Sequence, residues 1–155
     1  MGKIEKRLEA LGIELPEPPE RAGLYAQTKG FSDMLCVSGC GPDLPGAPFP
    51  KGKLGEMTVE EGQAAASNCV LNALAILKRD LGTLDRVKSV VKMLAFVASS
   101  DDFFQQPAVA NGASRLLIDL FGEEAGCPTR SAIGVNVLPG NIPVEVELMV
   151  QIDRD

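Results

Sequence analysis

The sequence has no histidine, no tryptophan and a single tyrosine, and each shortage removes a group of functions. Without imidazole there is no Ser-His-Asp or Cys-His nucleophilic machinery and no His-ligated metal centre. With Tyr25 as the sole tyrosine, aromatic platforms on which single-stranded nucleic acid could stack are scarce. Positive charge is in deficit as well: 15 Lys and Arg against 21 Asp and Glu leave a net charge of −6. Such a field repels phosphate backbones, whose binding depends on cations releasing counterions, so nucleic acid is not expected as a partner. Long apolar runs are missing too. The stretch Leu94-Ala95-Phe96-Val97-Ala98 is far shorter than the roughly 18 to 20 residues that cross a bilayer. The charged opening Lys3, Glu5, Lys6, Arg7 is unlike a signal peptide, so neither secretion nor a membrane span is expected.

Cysteine is sparse and unpatterned. Cys36, Cys40, Cys69 and Cys127 form no CxxC pair. Cys36 alternates with apolar neighbours in a strand-like run and Cys69 lies inside a helical pattern. These settings favour free, buried thiols in a reducing cytoplasm over disulfides, with an all-cysteine zinc site as the remaining alternative.

What is present is an ordinary globular composition. A chain of 155 residues, 45% apolar and 23% charged, can bury its own core and is expected to form one domain. Ile4, Leu8 and Leu11 mark a short amphipathic helix that Gly12 can stop, and the prolines at 16, 18 and 19 then enforce an extended connector. Residues 1–22 are set apart on this basis as an N-terminal helix and connector, leaving 23–155 as the main domain. Residues 25–29 and 34–38 read as two strands about a turn at 30–33. Residues 41–55, with four glycines and four prolines, are a long surface loop of the kind that serves as a lid or a mobile tip. Thr58 with Glu61 three residues on announces a helix over 57–81, whose stripe is Ala66, Val70, Ala73, Leu74, Leu77 and Leu81.

Residues 87–98 are almost continuously apolar, as a central strand requires. A second helix is expected over about 103–121, with Gly122 after it. Residues 130–137 and 143–152 complete the set as strands about a turn at Pro139-Gly140-Asn141. The order is β-β-α-β-α-β-β, an α+β fold whose two helices share one face of a sheet. The strict alternation of Val144, Val146, Leu148, Val150 and Ile152 leaves Glu145, Glu147, Met149 and Gln151 on the opposite face, which is free for solvent or another subunit.

Parity along 130–137 groups Arg130 with Ala132 and Gly134, opposite Ile133 and Val135. Ile133 and Val135 are read as core-facing, so Arg130, with Ala132, Gly134 and Asn136, is expected to point at the half-polar face. There its guanidinium could grip a carboxylate with two parallel hydrogen bonds, or could simply pair with a surface acid. If the last two strands form a regular hairpin, Glu145 lies near Asn136 and Arg130 near Gln151. The two are then about six residues, or roughly 20 Å, apart. A pocket that used both would have to be shared between subunits. Ser38-Gly39-Cys40-Gly41 is glycine-rich, but no Lys-Ser/Thr follows, so it is not a phosphate loop; its glycines could admit a ligand close to the backbone.

Together, Gly23-Leu24-Tyr25-Ala26-Gln27, Val37-Ser38-Gly39, Asn111, Pro128-Thr129-Arg130-Ser131-Ala132-Ile133-Gly134-Val135, Leu138-Pro139 and Val144-Glu145-Val146-Glu147 resemble the RidA family, also called YjgF or endoribonuclease L-PSP. The resemblance implies a chorismate-mutase-like fold assembled as a cytoplasmic homotrimer with ligand clefts between subunits. It also implies hydrolytic deamination of reactive enamines or imines to 2-oxo acids and ammonia, with no cofactor and no metal. Arg130 would hold the substrate carboxylate, and Glu145, with a backbone carbonyl near Ala132, the attacking water. Tyr25, Ser38, Gly39 and Asn111 would line the cleft. Ala132 in place of the usual cysteine, and the long 41–55 loop, mark a divergent subgroup. Non-catalytic sensing of 2-oxo acids or related carboxylates is the alternative function, with ribonuclease or translation-inhibitor activity behind it.

Overall fold

The computed structural model describes residues 2–153. Helix α1 (Lys3–Ala10) buries Ile4 and Leu8 and ends where Gly12 takes a φ of 65°. Strands β1 (Thr28–Phe31) and β2 (Met34–Cys40) follow, then α2 (Val59–Leu81), β3 (Val87–Ala98), α3 (Gln106–Phe121), the short α4 (Glu123–Gly126), β4 (Thr129–Val135) and β5 (Val144–Ile152). The expected β-β-α-β-α-β-β order is therefore present, with α4 as an added turn.

Local chemistry sets the helix ends. The Thr58 hydroxyl accepts from the Glu61 N–H at 3.1 Å, and the Glu61 carboxylate accepts from the Thr58 N–H at 2.7 Å, so α2 opens on a reciprocal cap. Helix α3 begins three residues later than its apolar pattern suggests because Pro107 is tolerated only in a first turn. The helices pack backbone to backbone: a side chain at Gly112 would come within 2.7 Å of the carbonyl carbon of Gln63 on α2.

The sheet order is β1-β2-β5-β3-β4, with β3 and β4 parallel and every other pair antiparallel. Both long helices lie on one face, over a core of Met93, Ala95 and Val97 from β3 and Val144, Val146, Leu148 and Val150 from β5. The other face carries half-buried Leu94, Phe96 and Met149, exposed Ile133, and the carboxylates of Glu145 and Glu147. No described helix is long and apolar enough to cross a membrane.

Two expectations fail here. The last two strands do not pair as a hairpin, because α3 carries the chain over the sheet and lays β4 parallel to β3. That occupies one edge of β3, so β5 enters on its other edge, between β3 and β2. The connection through Pro139–Asn141 is accordingly a crossing, tied down by Gly52 N–H donating to the Asn141 carbonyl at 3.0 Å and Ala98 N–H to that of Pro143 at 2.9 Å. Arg130, moreover, faces the helices and not the half-polar face. It is in register with buried Met93, as Ala132 is with Ala95, whereas Ile133 is 42% exposed. On an edge strand packed against α3, half-buried Ala132 lies on the helix side and Gly134, though exposed, leaves room for Gln106 at the start of α3, so the apolar Ile133 is not the marker of the buried face. All four cysteines are free as expected, but only Cys40 and Cys69 are buried; the alternation of β2 buries Leu35 and Val37 and leaves Cys36 exposed between them, and Cys127 is exposed as well.

Candidate functional site

The site residues singled out from the sequence fall into two groups within one chain. Tyr25, Ser38, Gly39 and Glu145 line a common cleft of about 780 Å³. Arg130, Asn111 and Ala132 gather at the opposite edge of the sheet, under α3.

A β-bulge opens the first group. On β2, Val37 pairs with Leu148 and Cys40 with Val146, so two residues, Ser38 and Gly39, oppose Glu147 alone. Ser38 turns away from β5 to bind the preceding segment: its N–H donates to the Gln27 carbonyl at 2.9 Å and its hydroxyl to that of Ala26 at 2.7 Å. Those bonds replace the regular ladder expected for residues 25–27, and β1 starts only at Thr28. Tyr25 sits in a tight bend, its hydroxyl accepting from the Ala22 N–H at 3.2 Å.

The Glu145 carboxylate lies directly over Gly39. A Cβ there would meet Glu145 Cδ at 2.8 Å, so glycine is required for the carboxylate to occupy this place. Half-buried, and without a hydrogen-bond or ion-pair partner among the described residues, Glu145 has its pKa raised, first by desolvation and then by the neighbouring charge of Glu147. Burial, assisted by Glu145, pushes the Cys40 thiol up to about 12, so the cleft's own cysteine is protonated and is not a nucleophile at neutral pH.

In the second group the Arg130 guanidinium donates to Asn111 Oδ1 at 2.8 Å and Ser114 Oγ at 3.0 Å through one nitrogen, and to the Pro107 carbonyl at 3.2 Å through the other. All three acceptors are neutral, so among the described residues the charge is oriented but not cancelled. Three of its five N–H donors are engaged, and the rest are available to an anion. Ser114 was not anticipated, although its position three residues after Asn111 puts it on the same helix face.

The 41–55 loop is a fixed wall. Leu54 is fully buried, its N–H donating to the Ala98 carbonyl at 2.8 Å and its carbonyl accepting from Ser100 at 2.9 Å. Asp43 accepts from the Phe49 N–H at 2.7 Å and pairs with Lys51 Nζ at 2.6 Å. From α2, Asn72 donates to the carbonyls of Gly41 at 3.0 Å and Asp43 at 2.8 Å. Asp43, Lys51 and Asn72 all line the cleft, and sequence reasoning missed them. The available signal was a polar Asn72 within the apolar run Val70 to Leu77.

Register fixes the separation of the two groups. Arg130 pairs with Met93 and Glu145 with Phe96, on either side of β3 and with their side chains on opposite faces of the sheet. One chain therefore presents an anion anchor at one edge and a carboxylate-bearing cleft at the other.

Over residues 5–152 the chain matches the family described as "YjgF/chorismate mutase-like, putative endoribonuclease". It is 42% identical to Protein TCP17 of Trypanosoma cruzi over 154 residues, 99% of this chain and 96% of that protein. Among solved structures, Atu1372 of Agrobacterium tumefaciens, of unknown function, is 38% identical with a TM-score of 0.88, over 97% of this chain and 92% of that one. The structure of E. coli TdcF with bound serine is 23% identical with a TM-score of 0.64, over 88% and 94% of the two chains, a likeness of fold.

Proposed function

The chain belongs to the YjgF family, and on that premise we propose that it hydrolyses reactive enamine or imine intermediates to 2-oxo acids and ammonia, in clefts completed between three copies. The observation that carries the reading is the complementarity of the two groups. A guanidinium held only by neutral acceptors lacks an anion, and an unpaired carboxylate of raised pKa lacks a proton partner. In one chain they cannot reach the same small molecule. Apposition of one copy's Arg130 edge with another's Glu145 cleft supplies both. The half-apolar face of Leu94, Phe96, Ile133 and Met149 is the kind of surface such apposition buries.

In this mechanism Arg130 takes the substrate carboxylate with two parallel hydrogen bonds and so places the adjoining C=N carbon. An enamine first gains a proton at its terminal carbon and becomes the iminium. Glu145, as carboxylate, accepts a hydrogen bond from a water and removes its proton as the oxygen bonds to the iminium carbon. The resulting amino alcohol takes that proton back at nitrogen; as the C–N bond breaks and ammonia departs, Glu145 removes the hydroxyl proton so that the C=O of the 2-oxo acid forms, and ammonia takes up that proton and leaves as ammonium. A carboxylate whose pKa is raised above its ordinary value by burial is the stronger base for these transfers. The acidic lining of Glu20, Asp43 and Glu145 also favours the cationic iminium over the neutral ketone product. The serine bound to TdcF is a zwitterion of comparable size and charge pattern.

The test is ammonia release from freshly generated 2-aminoacrylate by wild type, Arg130→Ala and Glu145→Gln, with sedimentation of each. Acceleration by a wild-type trimer that both substitutions abolish is the expected result. A folded trimer that binds 2-oxo acids through Arg130 without accelerating hydrolysis would replace this reading with metabolite sensing.

A further inference from the structure

The cleft holding Glu145 is larger than a three-carbon imino acid requires. Its volume of about 780 Å³ equals that of about 26 liquid waters at about 30 Å³ each. One wall of that space is built from the 41–55 loop and α2, and it is chemically specific. Asn72 is only 2% exposed. Because both partners of its Nδ2 are carbonyls, the orientation of the amide is fixed, and its Oδ1 is left as a buried acceptor with no hydrogen-bond partner among the described residues. Among the described residues, Lys51 is the only cation lining the cleft. Its ammonium has three N–H donors and bonds Asp43, so it retains donor capacity for a ligand.

Lys51 and Asn72 are held by the same residue, one on the Asp43 carboxylate and the other on its carbonyl. The wall thus offers an unsatisfied acceptor and an available donor on either side of Asp43. A carboxamide answers both, its NH2 donating to Asn72 Oδ1 and its oxygen accepting from Lys51. A carboxylate would give Asn72 nothing and would face Glu20, Asp43 and Glu145; an alkyl chain would leave both polar groups unpaired. We propose that Asn72, Asp43 and Lys51 form a distal subsite that reads the substrate's side chain and selects a terminal carboxamide. The proposal rests on the imine-hydrolase reading for the position of the substrate carboxylate at Arg130, but its test does not require turnover.

The test is calorimetric titration of the full-length protein with L-glutamine, L-methionine and L-glutamate, three amino acids of similar length that share the α-carboxylate and differ at the far end. Glutamine is expected to bind about tenfold or more tighter than the other two, and Lys51→Met to bring the glutamine-to-methionine ratio down to about one. Equal binding of glutamine and methionine by wild type, no binding of any of the three, or an unchanged ratio in Lys51→Met would each overturn the subsite. The 2-aminoacrylate assay separates the two ideas. Glutamine selectivity without imine hydrolysis upholds the subsite and removes the enzyme, whereas hydrolysis without selectivity does the reverse.

Discussion

Gly39 provides the sharpest test of how Glu145 is positioned. In Gly39→Ala the new methyl would lie 2.8 Å from Glu145 Cδ and 3.0 Å from Cγ. Carbon atoms rest at about 3.5–4.0 Å, and the methyl would overlap Glu145 Oε1 as well, so the carboxylate must retreat by at least about 1 Å. A displacement of that size at a catalytic group costs about 100-fold in rate, or about 2.7 kcal/mol of barrier at about 1.36 kcal/mol per decade. The fold pays far less. Glu145 swings on a half-buried side chain, and an off-rotamer torsion costs about 0.5–1.5 kcal/mol, which lowers Tm by only a few degrees in a chain of this size. Steady-state ammonia release, measured beside thermal unfolding and 2-oxo acid binding, should show kcat down about 100-fold with Tm nearly held and binding through Arg130 retained. A Gly39→Ala protein with wild-type kcat would show that the reaction does not use Glu145 where it stands.

Other consequences follow from burial and capping. The raised pKa of Glu145 means that the folded chain binds this proton more tightly than the unfolded chain, so its contribution to stability is complete below the unfolded value and is lost as pH rises through the folded value. Glu145→Gln should therefore raise Tm near neutral pH, an advantage that disappears below about pH 4, while wild-type kcat should fall as acid protonates the water-holding carboxylate. Thr58→Ala removes one half of the α2 cap and should cost about 1 kcal/mol, read as a lowered urea midpoint with unchanged m-value. Cys40 and Cys69, buried and with pKa values raised, should resist a thiol reagent at neutral pH until the chain is denatured. Rapid labelling of either in the native protein would refute their burial.

How much of the molecule could be read in advance depended on whether a feature was local. The capping pair Thr58 and Glu61, the stop at Gly82 and the run of β3 are each written in a few adjacent residues, and their boundaries emerge within one or two positions. Of the residues that the family resemblance singles out, Tyr25, Ser38, Gly39 and Glu145 line one cleft and Arg130 bonds Asn111 at the other edge of the sheet, so within one chain they form two groups and not one. The face of Arg130 was misjudged because β4 is an edge strand, where an exposed isoleucine and a covered alanine reverse the usual inference from hydrophobicity. The pairing of β5 was misjudged because the turn residues 139–141 suit a hairpin locally, whereas the crossover through α3 had already claimed that edge of β3.

What the sequence determined by itself was composition and periodicity: the exclusion of histidine chemistry, the acidic field, the identity of the three longer helices and the five strands, and the residue types on offer at the candidate site. These depend on side chains and near neighbours, which a linear string records. Only the tertiary structure decided that the bulge at Ser38-Gly39 seats a carboxylate over a glycine, that Arg130 is held by neutral acceptors, and that Asn72, Asp43 and Lys51 meet in one wall. Each of those joins residues far apart in the chain, so it is fixed by strand order and packing, and no local pattern encodes it.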